Sequence, residues 1–152
     1  MTNVMVMNDS IQMRYLYPEL SQAQEAPATY GYNKRISLIR QGLPVSSLFF
    51  FQKQTRLTAP ELANILNISL RTFQRYEQSK TLPSPLTEKL LKLNELYELA
   101  DQSLNGGPVN TTQWLRASNN ALQQQNPLQL LDTYEGLFEV KNILGRIAHG
   151  VY

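Results

Sequence analysis

The 152-residue chain is predicted to be all-α. Three observations carry that expectation. From Asn33 onward every segment has helical punctuation, with cap residues at its start and a stop signal at its end. None of these segments sustains the alternation of a half-buried strand. The stretch LTAPELANILNISLRTFQRYEQ has, in addition, the layout of a helix-turn-helix.

Taken in order, residues 1–32 are low in periodicity, and Pro18 and Pro27 interrupt any long element. They read as a flexible arm, in which RYLYPEL is suited to docking a short apolar turn. NKRISLIRQG is a short helix closed by Gly42, and after Pro44 a second helix runs through VSSLFFFQKQ. In TAPELANIL, Thr58 and Glu61 form a capping box, with Pro60 in the first turn, where its missing N–H costs little. Ser69 caps SLRTFQRYEQ.

SPLTEKLLKLNELYELADQSL opens with Ser84 as cap and Pro85 at the first helical position. Leu86, Leu90, Leu93, Tyr97 and Ala100 form its apolar stripe, and Glu88 and Lys92 pair on the opposite face. NGGP at 105–108 is the linker. Beyond it, Asn110 caps a helix through TTQWLRASNNAL, and Asn126 with Pro127 starts PLQLLD. Thr133 caps a last helix whose Leu137, Val140, Leu144 and Ile147 share a face that continues to Val151. The expected organisation is an arm over 1–32, a helix-turn-helix lobe with a long connecting helix over 33–104, and a second helical lobe over 105–152.

Composition removes several function classes. Hydrophobic residues make up 42% and charged residues 17%, which places the chain among globular proteins. There is no cysteine and a single histidine, His149, so disulfides, thiolate zinc sites and imidazole-rich metal sites are excluded. The sequence offers no Gly-rich phosphate loop and no nucleophile with a placed base. The expectation is a non-enzyme with no catalytic residues, no metal and no cofactor. The opening MTNVMVMNDSIQM is a poor signal peptide, and the greasy LFFF is far too short to span a bilayer. A cytoplasmic protein without a membrane partner is expected.

The net charge of +2 hides an uneven distribution. Between Asn33 and Lys92 ten basic residues face three acidic ones, whereas both flanking regions are acidic. A basic middle suits a polyanion. The helix-turn-helix lies inside it. Ala63 supplies the small residue where the two helices cross, and Asn67 tolerates the left-handed backbone of the turn. Ile68 plugs the core, and Leu70, Phe73 and Tyr76 point inward at three-residue spacing. The remaining residues of the second helix face outward. Ser69, Arg71, Thr72, Gln74 and Arg75, with Lys80 just beyond, make the expected DNA-binding set. Arginine forks match guanine edges, glutamine pairs with adenine, and hydroxyls and lysine reach phosphates.

The second half carries a further pattern. RTFQRY, LTEKLLKL, WL, NPLQLLDT, Gly136, LGRI and HGVY together resemble antitoxins of the Xre/MbcA/ParS group. The resemblance runs from about Ile36 to Tyr152. It implies an Xre-like helix-turn-helix lobe followed by a C-terminal helical toxin-binding lobe, a homodimer, and repression of the shared operon through operator DNA. It also implies a RES-domain toxin partner that consumes NAD and whose active site the antitoxin blocks. The chain departs from the family at RASNNALQQQ, where Ser118 and glutamines replace a proline and glycines, so a longer helix or a looser turn is expected there.

The ending GRIAHGVY places His149 at a helix C-terminus, Gly150 at the closing left-handed position, and Val151 and Tyr152 beyond it. Arg146, His149, Gly150, Val151 and Tyr152 are therefore the expected toxin-binding residues, an apolar plug that ends in a carboxylate. The alternative is a free-standing helix-turn-helix regulator without a toxin partner.

Overall fold

The computed structural model describes residues 13–18 and 31–151. Among these, the chain forms α1 (Tyr32–Gln41), α2 (Val45–Thr55), α3 (Ala59–Ile65) and α4 (Leu70–Arg75), the last tightening into a 3₁₀ turn at Tyr76–Gln78. The long α5 (Ser84–Leu104) follows, then α6 (Gly107–Arg116), 3₁₀ turns at Asn120–Leu122 and Pro127–Leu130, and α7 (Tyr134–Ala148). No strand forms among the described residues. An isolated bridge joins Pro44 to Thr81, where Leu82 N–H donates to the Leu43 carbonyl at 2.8 Å. No described helix is long and apolar enough to cross a membrane.

The spine is α5. Its 21 residues span about 30 Å, and α1, α6 and α7 all pack against it. Leu90, Leu93, Tyr97 and Ala100 are fully buried along one stripe, with Leu86 half-buried at its start. Phe51, Leu62, Ile65 and Phe73 reach this core from one side, and Leu115, Leu131, Leu137, Val140 and Leu144 from the other. The core is continuous, so the two predicted lobes are fused along α5.

Tyr97 sits at the junction. The Phe51 ring lies edge-on to it at 5.2 Å, and Tyr15 at 6.4 Å. Its hydroxyl lies 2.7 Å from the Thr112 hydroxyl, which donates to the Thr55 carbonyl at 2.7 Å. That relay satisfies both buried hydroxyls while tying α5 to α6 and α2. Burial raises the Tyr97 phenol above its ordinary range despite the Thr112 hydrogen bond, so it stays a neutral donor.

Within the arm, Met13, Tyr15 and Leu16 are buried in a turn closed by Leu16 N–H on the Met13 carbonyl. The Tyr15 and Arg14 amides donate to Asn94 Oδ1 and Glu98 Oε1 on α5. Burial, aided by Asp101, pushes the Tyr15 phenol up to about 12. The rest of the arm lies outside the described residues.

Several local expectations shift by a few residues. Pro83 is the cap of α5, so Ser84 is its first residue and Pro85 its second. Asn110 lies inside α6, which begins at Gly107 because the Asp101 carboxylate captures the Gly107 amide at 3.1 Å. The linker is thus only Asn105 and Gly106. α6 stops at Arg116, where the backbone turns extended at Ala117. Asn119 Oδ1 takes the Ala121 amide, a local bond that competes with helix propagation. Gln123 and Gln124 then adopt φ of 54° and 68°. The loop is therefore a tight turn built from glutamines, contrary to the expected longer helix or looser turn. Glu88 and Lys92 form no ion pair with each other among the described residues. Both line a groove between α1 and α5 instead.

Three contacts fix the second half. Thr133 caps α7 by accepting from the Gly136 amide at 2.9 Å. A Cβ on Gly136 would lie 1.9 Å from the Leu130 carbonyl oxygen, so the first turn of α7 touches the preceding backbone directly. Across the molecule, Arg116 donates through Nε and Nη2 to Glu61 at 2.9 and 2.7 Å, joining the end of α6 to the capping box of α3. The Glu61 carboxylate also takes the Thr58 amide at 2.8 Å. The Arg116 hydrogen bonds, with Thr58 adding to them, hold Glu61 below the usual carboxylate range.

Gly136→Ala is expected to destabilise the fold by more than about 2 kcal/mol, since a backbone carbonyl cannot yield as a side chain does; a urea titration measures it. Because the folded-state pKa of Glu61 is lowered, its contribution is present above the unfolded value and is lost as pH falls through the folded one. Glu61→Gln should therefore be less stable than wild type at pH 7. Its deficit should shrink as urea titrations are repeated below about pH 4.

Candidate functional site

The turn between α3 and α4 is set by Asn67 at φ 57°. Ile68 N–H returns to the Ala63 carbonyl at 3.0 Å and Asn67 N–H to Asn64 at 3.1 Å, closing α3 with a paired left-handed stop. Ala63 is buried at the crossing and Phe73 anchors α4 in the core. Phe49 meets Phe73 edge-on at 5.6 Å. Tyr76 and Ile68 are half-buried against the core. Leu70 departs from expectation. It is 39% exposed, because it is the first residue of α4 and lies outside the Phe73 contact.

The outward residues of α4 are where the periodicity put them. Arg71, Gln74 and Arg75 are exposed on α4, as are Gln78 and Lys80 beyond it. Ser69 is exposed and Thr72 half-buried, and the two are engaged with each other. Ser69 Oγ accepts the Thr72 amide at 3.1 Å and donates to Thr72 Oγ1 at 2.9 Å. This leaves the hydrogen of the Thr72 hydroxyl available for an external acceptor. Chemically, the face offers two guanidinium forks, an ammonium and amide groups.

At the other end, α7 closes with the same kind of stop. Gly150 has φ 66°, Val151 N–H donates to the Arg146 carbonyl at 2.8 Å, and Gly150 N–H donates to Ile147 at 3.1 Å. Arg146, His149 and Gly150 are exposed, and Val151 is 57% exposed. The remaining expected residue, Tyr152, lies outside the described residues. These residues share the free C-terminal end of α7, remote in sequence from the α4 set.

Two features had only faint sequence signals. Asn67 does more than tolerate its backbone angle, because its side-chain amide donates to the Asp132 carbonyl at 2.7 Å and ties the turn to the entry of α7. Lys89, counted as part of the basic surface, is only 5% exposed, with Nζ 4.6 Å from the Tyr134 ring centroid. Burial lowers its pKa, with Asp132 opposing that shift. Its spacing from Leu86 and Leu93 on the buried stripe was the available signal. No group of described residues is arranged to hold a metal ion.

The Asn67 contact separates two substitutions. Asn67→Gly keeps the left-handed angle and loses one exposed hydrogen bond, so a loss of less than about 1 kcal/mol is expected. Asn67→Ala loses the bond and adds left-handed strain, for a total of about 2 kcal/mol. Thermal melts of both variants read the difference.

Comparison with known proteins places this geometry. Residues 34–95 match the family model of the antitoxin Xre-like helix-turn-helix domain, and residues 100–150 match that of the antitoxin Xre/MbcA/ParS C-terminal toxin-binding domain. The chain is 24% identical over 116 residues to antitoxin Xre of Photorhabdus laumondii, covering 76% of this chain and 78% of that protein. It is 28% identical over 127 residues to the Prs ADP-ribosylating antitoxin of a Sphingobium species, covering 78% and 80%. In fold it is similar to a chain of the M. tuberculosis MbcT-MbcA toxin-antitoxin complex, with a TM-score of 0.55 at 20% identity over 71% of this chain and 96% of that one. With its helix-turn-helix and its toxin-binding domain both matched, the chain belongs to the Xre/MbcA/ParS antitoxins.

Proposed function

We propose that this antitoxin neutralises a RES-type, NAD-consuming toxin by placing the end of α7 in the route to the toxin's active site. In this reading it also represses its own operon as a homodimer bound to operator DNA. The observation that carries the first part is the closed but uncovered stop of α7. The Ile147 and Arg146 carbonyls accept from the Gly150 and Val151 amides, so the last turn is closed by its own backbone. Arg146, His149, Gly150 and Val151 stand exposed around it, with Tyr152 next in sequence. An exposed apolar Val151 beside the Arg146 guanidinium suits the mouth of a partner's pocket. The name of the Sphingobium relative includes ADP-ribosylation, a chemistry that draws on NAD, which supports the same class of partner.

For the DNA, the outward α4 residues divide by reach. Arg71, Gln74 and Arg75 are long, exposed and free to address base edges, whereas Ser69, Thr72 and Lys80 are better suited to phosphates. A two-fold protein would bind half-sites about one helical turn apart.

The test uses the protein encoded beside this chain, expressed with and without it while NAD is followed. Wild type should form a stable complex in which NAD consumption stops. A chain lacking Gly150 to Tyr152 should melt at the wild-type temperature yet leave NAD consumption running. Full silencing by the truncated chain would remove the plug. A neighbour that neither binds nor consumes NAD would favour the free-standing regulator. On the DNA side, Arg71→Ala should lose about 1–3 kcal/mol on the operator and little on random DNA; equal losses on both would make Arg71 a phosphate contact.

A further inference from the structure

The α3–α4 turn, the start of α5 and the entry of α7 share a cleft of about 550 Å³, a size that suits a small molecule. Leu66, Ile68, Pro85 and Leu86 give it apolar walls, and the half-exposed Tyr134 ring adds a flat face.

Two charged side chains line the same space. Lys89 is 5% exposed, and its ammonium makes no hydrogen bond or ion pair among the described residues. Its company is the Tyr134 ring, with Nζ 4.6 Å from the centroid. The Asp132 carboxylate also lacks a hydrogen bond or ion pair among the described residues. Only its backbone carbonyl is engaged, by the Asn67 amide at 2.7 Å.

A buried ammonium with three donors and no acceptor is rare, because nothing offsets its lost hydration. Burial lowers the Lys89 pKa, and Asp132 opposes that shift without closing an ion pair. Cation and anion therefore sit in one cleft, drawn toward each other but not joined.

The missing piece is a molecule with both charges at one end and an apolar body at the other. Its carboxylate would accept from Lys89 and its ammonium would donate to Asp132, while its side chain met the apolar walls. A carboxylate alone, including an acidic side chain of another protein, would answer Lys89 but bring like charge to Asp132. An amine alone would make the opposite error.

We infer that this cleft binds a free α-amino acid with a large apolar side chain, held by Lys89 and Asp132 at its charged end and by Leu66, Ile68, Leu86 and Tyr134 at the other. The walls come from both halves of the chain. The ligand thus braces the α3–α4 turn against the entry of α7, beside the Asn67 bond, and stabilises the fold by mass action. The inference stands on this geometry and holds with or without a toxin partner.

The experiment titrates the purified full-length chain with L-phenylalanine, L-leucine and L-tryptophan by calorimetry, with thermal melts alongside. At least one should bind and raise the melting temperature. The deaminated acid and the decarboxylated amine of the tightest binder should each bind about tenfold more weakly or worse. Lys89→Met, which keeps the length of the buried stem, should abolish binding. Asp132→Asn should weaken the amino acid but not its deaminated acid. Melts of the free variants report their folding, and if Lys89→Met does not fold, Asp132→Asn and the two fragments decide. No binding by the three amino acids at millimolar concentration overturns the site, as does binding that survives both substitutions. A deaminated acid that binds as tightly as its amino acid makes the ligand a plain carboxylate and overturns the inference. Inert amino acids, with a Lys89→Met chain that holds the protein encoded beside it more weakly, give the cleft to that protein's surface and also overturn it.

Discussion

The phenol of Tyr97 lies in an apolar core, where an unpaired hydroxyl would cost several times what a paired one contributes. Its hydroxyl partner, Thr112, faces the same constraint and resolves it on the carbonyl of Thr55. Three helices must therefore arrive at one point within hydrogen-bond tolerance. α2 and its Phe51 ring, α6, and the docked turn carrying Tyr15 are each positioned against a single side chain of α5. The helix-turn-helix inherits its placement from α2, and α7 inherits its own from α5 and the Pro127–Leu130 turn.

Much of this was legible because it obeys short-range rules. The Thr58–Glu61 box, the Ser69 and Thr133 caps, the left-handed Asn67 and the stop at Gly150 are each decided within a few residues. The outward positions of Arg71, Gln74 and Arg75 follow from helical periodicity around Phe73. What escaped the sequence are pairings across long separations. The Glu61–Arg116 fork spans 55 residues and the Asn67–Asp132 bond 65, and no local pattern announces either. Leu70 was misplaced because a periodicity does not say where a helix starts. The start of α6 was misplaced because an acceptor on the preceding helix, Asp101, outcompeted the obvious cap.

One backbone device appears at both candidate interfaces. Asn67 and Gly150 each reverse the chain after a helix by a left-handed residue and a pair of returning amides. At 67 the residue is asparagine, and its side chain is spent on holding the second half of the molecule. At 150 it is glycine, with no side chain to hold anything, and Val151 beyond it is exposed. The choice between the two residues separates a turn whose side chain ties two parts of the fold from one that leaves a helix end exposed.

The continuous core along α5 has a consequence for how long the protein lasts in a cell. Removing either end strips cover from the same residues, because Leu90, Leu93 and Tyr97 are packed from both sides. Helices α4 and α7 thus share one cooperative unfolding event. A protease that captures the opened chain takes both surfaces together. The two surfaces have a single half-life.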